Sequence, residues 1–133
     1  MIRAVAVLLL AWEPLSFAIE ALTVLPTITY RGWPAVVELV FHGLVAAVAA
    51  SGGLALLNRT PSAAGLATVA IVLSVSRTIQ ATWWTALPNS TPPGAEALTT
   101  GIALVVGAVA VAIVQAAGPA ARRPPTGSER SFR

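Results

Sequence analysis

The chain has 133 residues, of which 56% are hydrophobic, and its eight basic and five acidic side chains make up only 10% of the sequence. Soluble domains carry about 25% charge, and five of the charges here (Arg122, Arg123, Glu129, Arg130 and Arg133) fall in the last dozen positions. With a mean hydropathy of +0.81, a domain this small would expose more contiguous apolar surface than water tolerates, so a water-soluble globule is excluded and lipid is the expected solvent. Every cation is Arg and every anion Glu. The absence of Cys removes disulfides, thiolate metal sites and thiol catalysis. The pI near 11.2 does not point to nucleic acid, because the excess of Arg lies in a short tail and not on a folded basic face with aromatic residues.

Four apolar segments approach the roughly 20 residues needed to cross about 30 Å of hydrocarbon. They span about 4–25, 34–57, 62–87 and 95–117, each bounded by Pro, Gly or a polar turn, and no period-two pattern competes. The expected fold is all-α: a polytopic membrane protein whose residues 1–117 form a four-transmembrane-helix bundle. In the first segment, Arg3, the run 4–12 and Ser16-Phe17-Ala18 resemble a secretory signal, yet the segment is expected to be retained as a span. Pro14 frees the carbonyl of Leu10 and is expected to kink that helix. Residues 118–133 read as a basic cytoplasmic tail too polar to pack, expected to be disordered and drawn to anionic lipid.

Arg3, Arg59 and the four tail arginines outnumber Arg31 on the opposite side, so both termini are expected in the cytoplasm, with the protein in a bacterial cytoplasmic (inner) membrane. Trp33, Trp83 and Trp84 then fall at the outer interface as headgroup anchors.

Within lipid an ionisable side chain at helix centre costs about 2.5 to 3.5 kcal/mol, so each one demands a reason. At a rise of about 1.5 Å per residue, Glu38 lies about 6 Å from the outer ends of the spans, Glu20 about 8 Å, Gln80 about 10 Å, His42 about 12 Å, Arg77 about 15 Å and Glu13 about 18 Å. Glu13 and Glu20, seven apart, share a face, and so do Glu38 and His42, four apart. On the third helix Arg77 and Gln80 run beside a stripe of small and hydroxyl residues, Ala70, Ser74, Thr78 and Thr82. The economical assembly turns these faces inward, with Arg77 as the shared cation of Glu20 and Glu38. Three Glu against one Arg leave an excess of negative charge that protons on His42 or on the deepest carboxyl, Glu13, would relieve.

The plainest purpose for this Glu/His/Arg network is a buried ion-pair set that fixes helix register. Alternatives are a proton or ion path, a metal held by Glu20, Glu38 and His42, or His42 as an axial ligand to haem or another pigment; the sequence itself requires no cofactor and no metal. Small residues on the second helix (Ala46, Ala49, Ala50, Gly53) and the fourth (Gly101, Gly107, Ala108, Ala112) suit close helix packing, within the chain or against a partner. No catalytic motif occurs. The expected function is therefore a non-catalytic accessory or assembly subunit packing against larger membrane subunits or another copy. The alternatives are a proton- or ion-coupled carrier or channel, and an intramembrane enzyme or binder of a lipophilic ligand.

Overall fold

The computed structural model describes residues 1–84 and 91–118; the tail beyond Gly118, including its four arginines, lies outside the described residues. Five α-helices follow one another: α1 (Ile2–Val24), α2 (Ile28–Arg31), α3 (Trp33–Leu57), α4 (Ala63–Trp83) and α5 (Glu96–Ala117), with no strand among the described residues. The stretch Ile2–Arg31, α3, α4 and α5 are each long and apolar enough to cross a membrane.

The punctuation explains most boundaries. Pro26 ends the α-type ladder of α1, yet helical turns continue through the 3-10 turn Leu25–Thr27 and α2, because proline is tolerated in the first turn of a new helical segment. Gly32, at φ +75, makes the reversal into α3, where Pro34 sits in the first turn. The far end of α3 closes in a Schellman motif: Thr60 N–H donates to the Ala55 carbonyl at 3.1 Å and Arg59 N–H to Leu56 at 3.4 Å. Arg59 takes the left-handed position of that motif at φ 55. Pro14 stands inside α1, which runs on through it to Val24.

The long helices form an antiparallel ring in chain order. Leu10 meets Gly53 and Phe17 meets Gly43 across α1 and α3. Gly52 lies against the Ala67 backbone across α3 and α4, and Gly107 against Val75 across α4 and α5. Arg3 Nε reaches the Ala117 carbonyl at 3.4 Å, which brings the start of α1 to the end of α5. A Cβ on Gly52 would stand 3.1 Å from backbone atoms of Ala67, so the α3–α4 approach depends on that glycine.

Small side chains build the core in the half nearer Asn58. Ala6, Leu10, Ala49, Ala55, Leu56, Ala63, Ala67, Ala70, Ile71, Val114 and Ala117 form one buried cluster there. Hydroxyls of Ser51, Thr68, Ser76, Thr78 and Thr82 donate to carbonyls four residues back in their own helices, and Thr68 Oγ1 also accepts from Gln115 Nε2 of α5 at 2.8 Å. The buried charges lie from mid-bundle toward the Gly32 end, while Arg3 and Arg59 stand at the Asn58 end.

The small-residue faces only partly serve this packing. Ala46, Ala49, Gly53 and Gly107 are buried, whereas Ala50, Gly101, Ala108 and Ala112 are exposed, and nothing outside its own helix lies within 4 Å of a Cβ placed on Gly101. The reason is angular: α5 turns Gly107, Val114 and Ala117 inward, seven and three residues apart, and Gly101, Ala108 and Ala112 fall on other sides of the helix.

Candidate functional site

Three helices supply one polar file. Glu13 and Glu20, two turns apart on α1, point the same way as their spacing dictates. His42 on α3 sits between them with 1% of its surface exposed. Its Nδ1 is hydrogen-bonded to Glu20 Oε2, and its Nε2 lies 3.1 Å from Ser16 Oγ and 3.4 Å from Glu13 Oε2. The edge of Phe17 packs on the imidazole, with ring centroids 5.5 Å apart. Gly43, next to His42, leaves room for that ring, since a Cβ there would lie 3.3 Å from it.

Glu20 Oε2 also accepts from Arg77 Nη2 at 2.7 Å. The same guanidinium brings Nε to 2.8 Å from Glu38 Oε1, an ion pair out of line for a hydrogen bond. At the other end Ser74 Oγ donates to Glu13 Oε1. The file therefore reads Ser74, Glu13, His42, Glu20, Arg77, Glu38. Its members are poorly exposed: Glu38 is 9% accessible at its side chain, Glu13 13%, Arg77 20% and Glu20 23%. Two carboxylate oxygens, Glu13 Oε2 and Glu38 Oε2, are buried without a hydrogen-bond partner, an expensive state in a low-dielectric interior.

Six residues singled out by their depth thus divide. Glu13, Glu20, Glu38, His42 and Arg77 meet. Gln80 stands aside, lining a shallow apolar groove with Trp33, Val37 and Phe41, because three residues beyond Arg77 its side chain points about 60° away from the Arg77 direction and lies about 4.5 Å nearer the Gly32 end. Trp33 and Trp83 are exposed at that end and Trp84 is half-buried. Trp83 Nε1 donates to Thr100 Oγ1 at 2.9 Å, tying α4 to α5.

Sequence reasoning passed over Ser16 and the partnership of Ser74 with Glu13. Their signal was positional: Ser16 lies three residues after Glu13 and four before Glu20, on the same face of α1.

The ring is incomplete between α1 and α5. A cleft of about 420 Å³ opens there, walled by α1, α4 and α5 with Ala49 of α3 at its back. Trp12, Ile102 and Val106 flank it and are themselves largely exposed. Among the described residues Glu13 is its only ionisable lining residue, and Ser74, Thr78 and Thr99 bring the only hydroxyls.

The geometry separates the chemical options for the network. Both ring nitrogens of His42 are engaged by α1 side chains, so neither is presented to a haem or pigment metal. Among the described residues no three of His, Cys, Asp and Glu form a group that could hold a metal ion. What the arrangement retains is the chemistry of a histidine between two carboxyls, which can accept a proton at one nitrogen and release one at the other. The Arg77 guanidinium lies beside these groups as the counter-charge of Glu20 and Glu38.

Comparison of the chain with protein-family models, with characterised proteins and with solved structures finds no match to any of them.

Proposed function

We propose that the chain is a small multi-pass membrane protein that moves protons between the cleft beside Glu13 and the Gly32 end of the bundle. The observation that carries this reading is the file Glu13, His42, Glu20, in which one imidazole contacts a carboxyl through each nitrogen. A proton arriving at Glu13 passes to His42 Nε2, and the Nδ1 proton leaves to Glu20. Return of the ring to its starting tautomer resets the relay. Arg77 offsets the charge left on Glu20 and Glu38 without taking part in the transfer. The excess of arginine at one set of helix ends supports an orientation with both termini cytoplasmic and the Gly32 end outward, which we propose for a bacterial inner membrane.

Proteoliposomes holding a potassium diffusion potential and a trapped pH dye test the proposal. The wild-type chain is expected to carry protons faster than protein-free vesicles, and Glu13→Gln and His42→Asn to return the rate to that of empty vesicles. Glu96→Gln, at the start of α5 away from the file, should leave it unchanged. Wild-type flux equal to that of empty vesicles overturns the reading.

A second reading, an accessory subunit packed against larger membrane partners, is favoured by the exposed small residues Gly101, Ala108 and Ala112 of α5, which offer a close-approach face with no occupant among the described residues.

A further inference from the structure

We infer that the cleft between α1, α4 and α5 is a binding site for a lipophilic monocation, an alkyl- or aryl-ammonium, whose charged head pairs with Glu13. The inference deepens the proton-translocation reading and rests on it for the use made of the site, though not for binding itself.

Size and lining come first. At about 420 Å³ the cleft lies within the range of about 300 to 1,000 Å³ typical of small-molecule sites. Its walls are apolar side chains such as Leu9, Ile71, Val75, Ile102 and Val106, with one carboxyl and three hydroxyls. An apolar body with a single polar head matches that inventory.

Charge then fixes the sign and number. Glu13, Glu20 and Glu38 face one permanent cation, Arg77, which is committed to Glu20 and Glu38 by contacts of 2.7 and 2.8 Å. Glu13 is left with a hydroxyl, Ser74, and with His42 at 3.4 Å, and its Oε2 has no hydrogen-bond partner. Even with His42 charged, the network has room for one more positive charge. Among the described residues no cation lines the cleft, so an anionic head would face the Glu13 carboxylate with no opposite charge. A bare metal ion would require about six oxygen ligands, which one carboxyl and three scattered hydroxyls do not supply. A neutral lipid tail would leave the carboxyl unpaired in an apolar wall.

Cation and proton then compete for the same carboxylate. The groups facing Glu13 are His42 from α3 and Ser74 from α4; Glu20 and Arg77 stand one contact further along the file, and among the described residues α5 gives the cleft one polar side chain, Thr99, and no titratable one. An ammonium pairing with Glu13 displaces the proton from Glu13 or, through it, from His42, and that proton leaves toward Glu20. The exchange is one cation bound for at most one proton released.

Calorimetric titration of the chain in zwitterionic nanodiscs with N-octylpyridinium, in two buffers of different ionisation enthalpy, reads binding and proton release together. Saturable binding with release of up to about one proton, weakening as pH falls, is expected. Glu13→Gln should weaken it by about tenfold or more, the effect of removing a charged partner, and Glu96→Gln should not. Ile102→Trp, which fills the cleft and leaves the polar file intact, should also abolish binding and guards against a Glu13 variant that fails to fold. Octylbenzene, the uncharged shape analogue, should release no proton. Uptake no different from empty nanodiscs, or saturable binding indifferent to both variants, overturns the inference. A chain that carries protons but does not bind the pyridinium loses the site and keeps the proton reading; a chain that binds it and carries no protons does the reverse.

Discussion

At the scale of single residues, Arg77 is the side chain on which most others depend. It holds Glu20 through Nη2 and Glu38 through Nε, and both carboxyls are mostly buried. Removing one partner of a buried ion pair leaves an uncompensated charge and costs about 3 to 5 kcal/mol. Arg77→Met is therefore expected to lower the thermal unfolding temperature of the detergent-solubilised protein sharply, and the added change Glu20→Gln to recover part of the loss. An Arg77→Met protein that melts with the wild type would show the pairs to be ornamental to stability. The meeting of Glu20, Glu38 and Arg77 is legible in the sequence because ionisable residues in apolar helices are so few and must find one another. Ser16 is not, because a helical serine is ordinarily satisfied by its own backbone, as Ser51 and Ser76 are here.

At the scale of elements, hydropathy and proline placement make four long apolar helices readable, but two features escape those signals. Pro26 reads as a stop, whereas the chain simply begins another helical segment on it and continues to Arg31. The cleft escapes as well, since periodicity states which face of a helix is apolar and not which neighbouring helices stay apart. α5 buries only Gly107, Val114 and Ala117, which leaves most of its surface facing away from the other helices. If its outer face receives a partner helix, native mass spectrometry after purification in mild detergent should show an added subunit, and Ala108→Leu should remove it while the Gly107 contact with Val75 survives. A lone chain in the wild-type sample counts against the accessory-subunit reading.

At the scale of the whole molecule, the ends of the helices sort into two sets. Arg3 and Ala117 meet at one end, together with the Asn58 turn, while Gly32 and Trp83 mark the other. The absence of Cys makes single-cysteine labelling clean. With the proposed orientation, Ser62→Cys should react with an impermeant maleimide only from the cytoplasmic side and Pro93→Cys only from outside; the reverse pattern inverts the topology and the direction assigned to the proton file.

The distance along the chain between Glu20 and Arg77 has a consequence for how such a protein is made. The two are 57 residues apart, and at about 5 to 20 residues per second of synthesis the arginine emerges roughly 3 to 11 seconds after the glutamate. During that interval Glu13 and Glu20 lack Arg77, and the arginines already made, Arg3, Arg31 and Arg59, stand outside the network. His42, 22 residues after Glu20, arrives first and joins α1 to α3; α4 then brings the guanidinium that secures the pair. The protein's most vulnerable moment is thus an early one, and its histidine is the provisional partner that carries α1 through it.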